Sequence, residues 1–335
     1  MKISKIFNEN KTVANFFYSI FNGYHQIRRS IKGNGKFQLL GDKPVKFYVP
    51  LHPIPESNLF GHISVFKKYL GNKSNLLNIH VQHGVILGNL VQKIMKDSFA
   101  TTIITYSKKR QDIIKLQTGK KVIAVGPYIQ YSKSRLSPVE FKKLKETYGK
   151  TLLVFPAHSS VDRTKINFDQ ISLIDKINEI KERHAVKTVL INLFYSDCSK
   201  ESVAFYEENG FKVCSAGYWL SENFLPNLRT ILELSDLTMS NRVGTHVGYA
   251  VSLGKPHYIF KQRYHEDFIG KKGQEDLAQV NEHQELEQID SDRIEFNFTS
   301  DEFIITKEQQ DIVEEFWGSD IKYTPDQLQD LLFLK

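Results

Sequence analysis

The chain has 335 residues, 41% hydrophobic and 25% charged, a balance that excludes disordered, fibrous and collagen-like classes and is long enough for two cores. Its two cysteines, Cys198 and Cys214, supply neither a disulfide framework nor zinc-ligand spacing. The net charge of +7 hides an asymmetry: residues 1–150 carry 26 Lys/Arg against 7 Asp/Glu, a net of +19, and residues 151–335 carry 19 against 31, a net of −12. The basic part implies an anionic partner, either a phospholipid surface or a polyanionic glycan. Nucleic acid is the weakest third candidate, since the chain lacks a helix-turn-helix, zinc-finger or RNP-type motif and its basic residues are dispersed. No run approaches the ~18 apolar residues of a membrane span, and the first residues lack a signal peptide's apolar core, which predicts a cytoplasmic location.

In chain order, apolar residues at helical spacing over 13–31, with Arg28, Arg29 and Lys32 near their end, predict an amphipathic helix. That helix either packs on the first domain or rests on the inner face of a membrane. Short β-prone runs over 46–49, 77–82, 101–106 and 121–125 follow. A boundary is expected between Gly126 and Lys150, where Ser137, Pro138 and Glu140 spell a capping box opening a helix over 138–148. A second alternating series comes next: strands over 151–155, 187–194 and 211–215, and helices over 168–184, 199–209 and 224–234. Residues 265–292 read as polar loops with one helix, and 307–317 and 324–334 as closing helices. The expectation is an α/β chain of two Rossmann-like domains facing each other across a cleft, over 1–135 and 136–310, with C-terminal helices over 311–335 packing back toward the first.

The sharpest local signal is the stretch 234–260, which reads strand, turn, helix, turn, strand. Ser240 and Asn241 are turn and cap residues, and Gly244-Thr245 opens a helix whose free N–H groups and dipole suit a nucleotide diphosphate. Ligands of open α/β sheets sit beyond the carboxyl ends of the strands, so polar residues there are the candidates. They are His83 after IHVQ, His158, Ser159 and Ser160 with Arg163 after the 151–155 strand, Asp197, Tyr218 with Trp219, and Ser240, Asn241, Gly244, Thr245 and His246. His83 is the candidate general base, because a histidine titrates near neutrality. His80, an odd three residues earlier, is expected on the opposite sheet face in a structural role. His257 and His265 lack paired ligands, HExxH is absent, and Asp290-Ser291-Asp292 follows no strand and reads as a solvated loop, so no metal site is expected. A Ser–His–Asp hydrolase is unsupported without a G-x-S-x-G elbow.

The paired βα halves, the His83-Gly84 step and the late turn–helix ending in Gly254-Lys255-Pro256 together resemble GT-B glycosyltransferases, in particular those of bacterial capsule, lipopolysaccharide and teichoic-acid assembly. The resemblance implies an acceptor-binding first domain, a nucleotide-sugar-binding second domain and no obligatory metal or other cofactor. It implies donor diphosphate contacts at Ser240, Asn241, Gly244 and Thr245, further contacts at His158 and Ser159, and His83 as the catalytic residue. The chain departs from the pattern in having no Glu in the cradle helix for the donor ribose; Glu233 precedes the cradle, and Asp162 and Asp197 are the alternatives. Expected partners are a nucleotide sugar, a lipid-linked or polyanionic acceptor and an anionic membrane surface. Three rivals share the architecture: a transferase of glycerol or ribitol phosphate from a CDP carrier, a sugar-nucleotide epimerase, and a non-catalytic nucleotide- or glycan-binding protein.

Overall fold

The computed structural model describes residues 51–71, 75–159 and 164–333. The helix expected over 13–31, the strand over 46–49, and Ser160, Asp162 and Arg163 lie outside the described residues.

A 3-10 segment at Pro55–Gly61 leads into α1 (His62–Tyr69). Then come β1 (Ile79–Val81), α2 (Lys93–Lys96), β2 (Thr102–Thr105), α3 (Lys108–Thr118) and β3 (Lys121–Ala124). The three strands are parallel in the order β1-β2-β3. β1 and β2 are buried along their whole length, as expected of a sheet covered on both faces. Ser107 caps α3 by accepting from the Arg110 N–H, and Gly119 ends it in the left-handed conformation.

After a 3-10 turn at Tyr128–Tyr131, α4 (Pro138–Tyr148) begins on the expected capping box of Ser137 and Glu140. β4 (Thr151–Phe155), β5 (Thr164–Phe168), α5 (Gln170–Arg183), β6 (Thr188–Asn192), α6 (Lys200–Glu208), β7 (Lys212–Cys214), α7 (Phe224–Leu234), β8 (Leu237–Ser240), α8 (Thr245–Ser252) and β9 (His257–Ile259) follow. The second sheet is parallel with order β7-β6-β4-β8-β9. The chain builds outward from β4 through β6 to β7, then returns to β8 and β9 on the other side. The strand order therefore reverses between β4 and β8, and a crevice opens beyond their carboxyl ends.

Residues 264–297 hold the one helix expected there, but a strand and a long helix take the place of most of the expected loops. β10 (Tyr264–Phe268) pairs antiparallel with β5, and α9 (Gly270–Asn297) is a 28-residue helix. The expected helix over 168–184 likewise starts only at Gln170, because Phe168 closes β5. Asp290 lies on α9 and not in a solvated loop: it accepts from the Gly88 N–H at 2.8 Å and pairs with Lys109 at 3.3 Å. α10 (Lys307–Trp317) and α11 (Pro325–Phe333) close the chain.

One apolar cluster takes in Val81 and Ile104 from the first sheet, Leu153 from the second, Val247 of α8 and Trp317 of α10. The fully buried Trp317 indole donates to the Thr245 carbonyl at 3.1 Å. Its ring lies so close to Gly248 that a Cβ there would meet Trp317 Cγ at 2.2 Å, so α10 can seat against α8 only over a glycine.

Candidate functional site

The 3-10 segment before α1 holds a carboxylate that lies outside the strand-end candidates. Glu56 is buried; its Oε2 accepts from His80 Nε2 at 2.6 Å and its Oε1 from His83 Nδ1 at 2.5 Å. Burial alone would raise the Glu56 carboxyl, but the charges and hydrogen bonds of the two imidazoles outweigh it and hold the group below the usual carboxylate range. An ionised carboxylate only accepts hydrogen bonds. Both imidazoles must therefore donate, which leaves Nε2 of His83 as the ring nitrogen that carries its lone pair in the neutral form. His80 is fully buried, whereas the His83 side chain is 31% exposed. His80 was expected on the far sheet face, but β1 ends at Val81, so the alternation stops short of His83 and both rings reach one carboxylate.

Phe60, in the same segment, has φ of 56°, a left-handed conformation that costs a bulky residue roughly 1–2 kcal/mol. Its N–H donates to the Trp219 carbonyl at 2.5 Å. Its ring lies 6.3 Å from His83, 5.0 Å from Phe224 and 6.5 Å from Phe194. Strain held in place by this much packing is usual at functional sites.

On the opposite wall, the turn after β8 leads into α8. The N-cap residue is Gly244, with extended backbone and no side-chain cap, so the Thr245 and His246 N–H groups have no acceptor within the helix. Thr245 Oγ1 accepts from the Val85 N–H at 3.2 Å, and a Cβ on Gly84 would lie 3.4 Å from that oxygen. This contact brings the His83-Gly84 loop against the start of α8. His246 is half-buried, stacks on Phe155 at 4.6 Å and leaves its Nε2 buried without a partner. Burial pushes its imidazole down to about 3.

Ser240 and Asn241, expected as diphosphate contacts, are used within the protein. The Ser240 hydroxyl is buried and bonds the Arg242 carbonyl at 2.9 Å and His257 Nε2 at 3.0 Å. Asn241 accepts from the Ala157 N–H at 2.6 Å and donates to Gln262 at 3.0 Å, fixing the loop after β4. The side chains of the turn are thus engaged within the fold, and Gly244 and Thr245 stand at the uncapped start of α8.

The remaining candidates line the ends of β4, β6 and β7. The exposed His158 ring stacks on Phe194 at 4.3 Å. Ser159 donates its N–H to Asp197 at 3.3 Å and accepts from Ile166 of β5 at 3.1 Å. Burial raises the Asp197 carboxyl to about 6. Tyr218 meets Tyr195 edge-on at 5.0 Å, and Trp219 lies parallel to Tyr195 at 6.3 Å. Phe60, Phe194, Tyr195, Tyr218 and Trp219 thus form an aromatic border beside the His83 loop.

Among the described residues, no group of three or more His, Cys, Asp or Glu side chains is placed to hold a metal. His257 is buried against Thr238 and Ser240, and His265 pairs with Asp267 at 2.9 Å. No helix among the described residues is long and apolar enough to cross a membrane.

Glu56 could have been found from the sequence: it is the one acidic residue between Asp42 and Asp97, in a stretch that also carries His52, His62, His80 and His83. A lone carboxylate among histidines in a basic region signals a structured partner.

No protein-family model matches the chain, and no curated protein matches it. Among solved structures, Anabaena HepE in complex with UDP-glucose matches at 17% identity and a TM-score of 0.29, over 66% of this chain and 64% of that one. A Listeria monocytogenes protein assigned as a UDP-N-acetylglucosamine 2-epimerase matches at 13% and 0.33, over 64% and 58%. Medicago truncatula UGT71G1 complexed with UDP-glucose matches at 15% and 0.30, over 66% and 50%. The chain spans less than two thirds of each of these proteins, and overlaps of this extent carry no argument about its chemistry. The α/β architecture stands on its own strand order: two parallel sheets, with the start of α8 after β8 held against the His83-Gly84 loop.

Proposed function

We propose that the chain is a nucleotide-sugar-dependent glycosyltransferase of GT-B type that transfers a sugar to the hydroxyl of an anionic or lipid-linked acceptor in surface polysaccharide assembly. The observation that carries the reading is the Glu56–His83 pair set against the open start of α8 through the Val85–Thr245 hydrogen bond. In this reaction His83 Nε2 takes the acceptor hydroxyl proton, and the acceptor oxygen bonds to the anomeric carbon. The bond from that carbon to the diphosphate breaks, and the nucleoside diphosphate leaves with the electron pair. The α8 N-terminus stabilises the charge on the leaving phosphate, and Glu56 stabilises the imidazolium formed on His83. The aromatic border beside Tyr195 suits stacking by a nucleobase. The net charge of +19 over residues 1–150 suits an anionic acceptor or membrane surface.

The test is a thermal-shift screen against UDP, GDP, CDP, CMP and ADP, followed by nucleotide release from the matching sugar nucleotide in wild type and His83→Ala. The reading requires that one nucleotide raise the melting temperature in both proteins and that the substitution abolish turnover alone. A flat screen, or turnover that survives His83→Ala, overturns it.

A further inference from the structure

A cavity of about 860 Å³ lies between α1, the 128–136 segment, α4 and the start of α7, and shares no lining residue with the His83 site. Its volume falls in the range of about 300–1,000 Å³ typical of small-molecule sites. Four cations line it: Lys68, Lys133, Arg135 and Lys143. The carboxylate among its lining residues, Glu140, is engaged in the α4 capping box, accepting from the Ser137 N–H at 3.0 Å and from its hydroxyl at 2.8 Å. Lys133 and Lys143 have no carboxylate partner among the described residues, while Lys68 faces Glu222 at 3.6 Å. The Arg135 guanidinium is held in place by Asn227 Oδ1 at 3.1 Å.

Ser132 points independently to a ligand. It lines the cavity, is only 7% exposed, and its hydroxyl has no hydrogen-bond partner. A buried hydroxyl left unpaired is costly, so its retention needs an explanation such as a bound group. The walls also include Tyr69 and Tyr131, whose hydroxyls are already committed to the Tyr323 and Val125 carbonyls, so they present ring surface rather than donors. Anion-binding cations and aromatic ring faces, with the buried and unpartnered Ser132 hydroxyl beneath them, together match a phosphate monoester on a sugar-sized body.

We propose that this cavity is a second binding site, separate from the His83 cleft, that takes a phosphorylated sugar. It sits where the 128–136 segment meets α1, α4 and the start of α7, so its occupant contacts all of them. The inference does not depend on the proposed glycosyl transfer.

The experiment is calorimetric titration of the full chain with glucose 1-phosphate and with inorganic phosphate. The proteins compared are wild type, the double variant Lys133→Glu/Lys143→Glu, the single variant Ser132→Ala, and the control Lys142→Glu, an exposed α4 lysine outside the cavity. Wild type and control should bind glucose 1-phosphate at about 1 mM or tighter, and the double variant at least about tenfold more weakly. Ser132→Ala should bind more weakly while melting no lower than wild type without ligand, since its hydroxyl makes no bond to lose. No binding by wild type at about 10 mM, a loss under about tenfold in the double variant, or an equal loss in the control overturns the proposal. Inorganic phosphate binding as tightly as the sugar phosphate would overturn the claim on the sugar-sized body.

Discussion

Glu56→Gln tests the site at its least replaceable atom pair. The carboxylate accepts from two imidazoles at once, at 2.6 Å and 2.5 Å. An amide has one oxygen and one NH₂ group, so it can accept from only one ring, and the other ring must turn or change tautomer. If His83 is displaced, its Nε2 carries the proton and cannot act as a base. If His80 is displaced, its buried Nδ1, already without a partner, acquires an N–H with nothing to receive it. In either case the negative charge that stabilises an imidazolium at His83 is gone. With the charge centres roughly 4 Å apart and an effective dielectric near 20, the pair is worth about 4 kcal/mol, and the partial exposure of His83 reduces this to about 2–3 kcal/mol. Turnover should therefore fall about 10²-fold, with the nucleotide-induced thermal shift unchanged. The assay is nucleoside diphosphate release from the sugar nucleotide identified in the screen, with circular dichroism to verify folding. A folded Glu56→Gln protein that retains wild-type turnover would refute the pairing as a catalytic device.

Three further outcomes follow from the packing and the charges. Trp317→Ala removes a fully buried indole and its hydrogen bond to Thr245, and should destabilise the protein by about 3–5 kcal/mol in chemical denaturation. An effect under ~1 kcal/mol would mean that α10 does not hold α8 in place. Thr245→Val keeps the branched shape but leaves the Val85 N–H without its acceptor, so a cost of about 1 kcal/mol and weaker nucleotide binding are expected, read by the same denaturation series and thermal shift. Asp197 has a folded-state value raised by burial to about 6 from an ordinary 3.8. Its stabilising effect is thus present below pH 3.8 and lost as pH rises to 6, which makes the ionised form a liability at neutral pH. Asp197→Asn should raise the melting temperature at pH 7.5 by roughly 2 °C, from about 1 kcal/mol after allowing for solvent screening, and should leave it unchanged near pH 3.5. Equal gains at both pH values would show that the carboxyl's charge is not responsible.

Much of the second sheet was legible along the chain. Residues 138–148, 151–155, 224–234 and 307–317 form elements at the expected limits, because their capping box, apolar runs and helical periodicity are local signals. The start of α8 was legible for the same reason, since a Gly-Thr step after a β-prone run marks a helix start. The β5–β10 pairing was not: its partners lie about a hundred residues apart, and the half-exposed strand β5 has no apolar run to mark it.

The chemistry divides along the same line. Sequence alone determined that His83 and the start of α8 belong at strand ends, that the first 150 residues are basic, and that no metal-ligand spacing is present, because each depends on neighbours within a few positions. Only the tertiary structure decided that Glu56 joins His80 and His83, that Ser240 and Asn241 are engaged inside the fold, and that Thr245 meets the His83-Gly84 loop 160 residues away. Those outcomes depend on which groups burial brings within hydrogen-bonding distance, and a buried polar atom takes whichever partner the fold supplies.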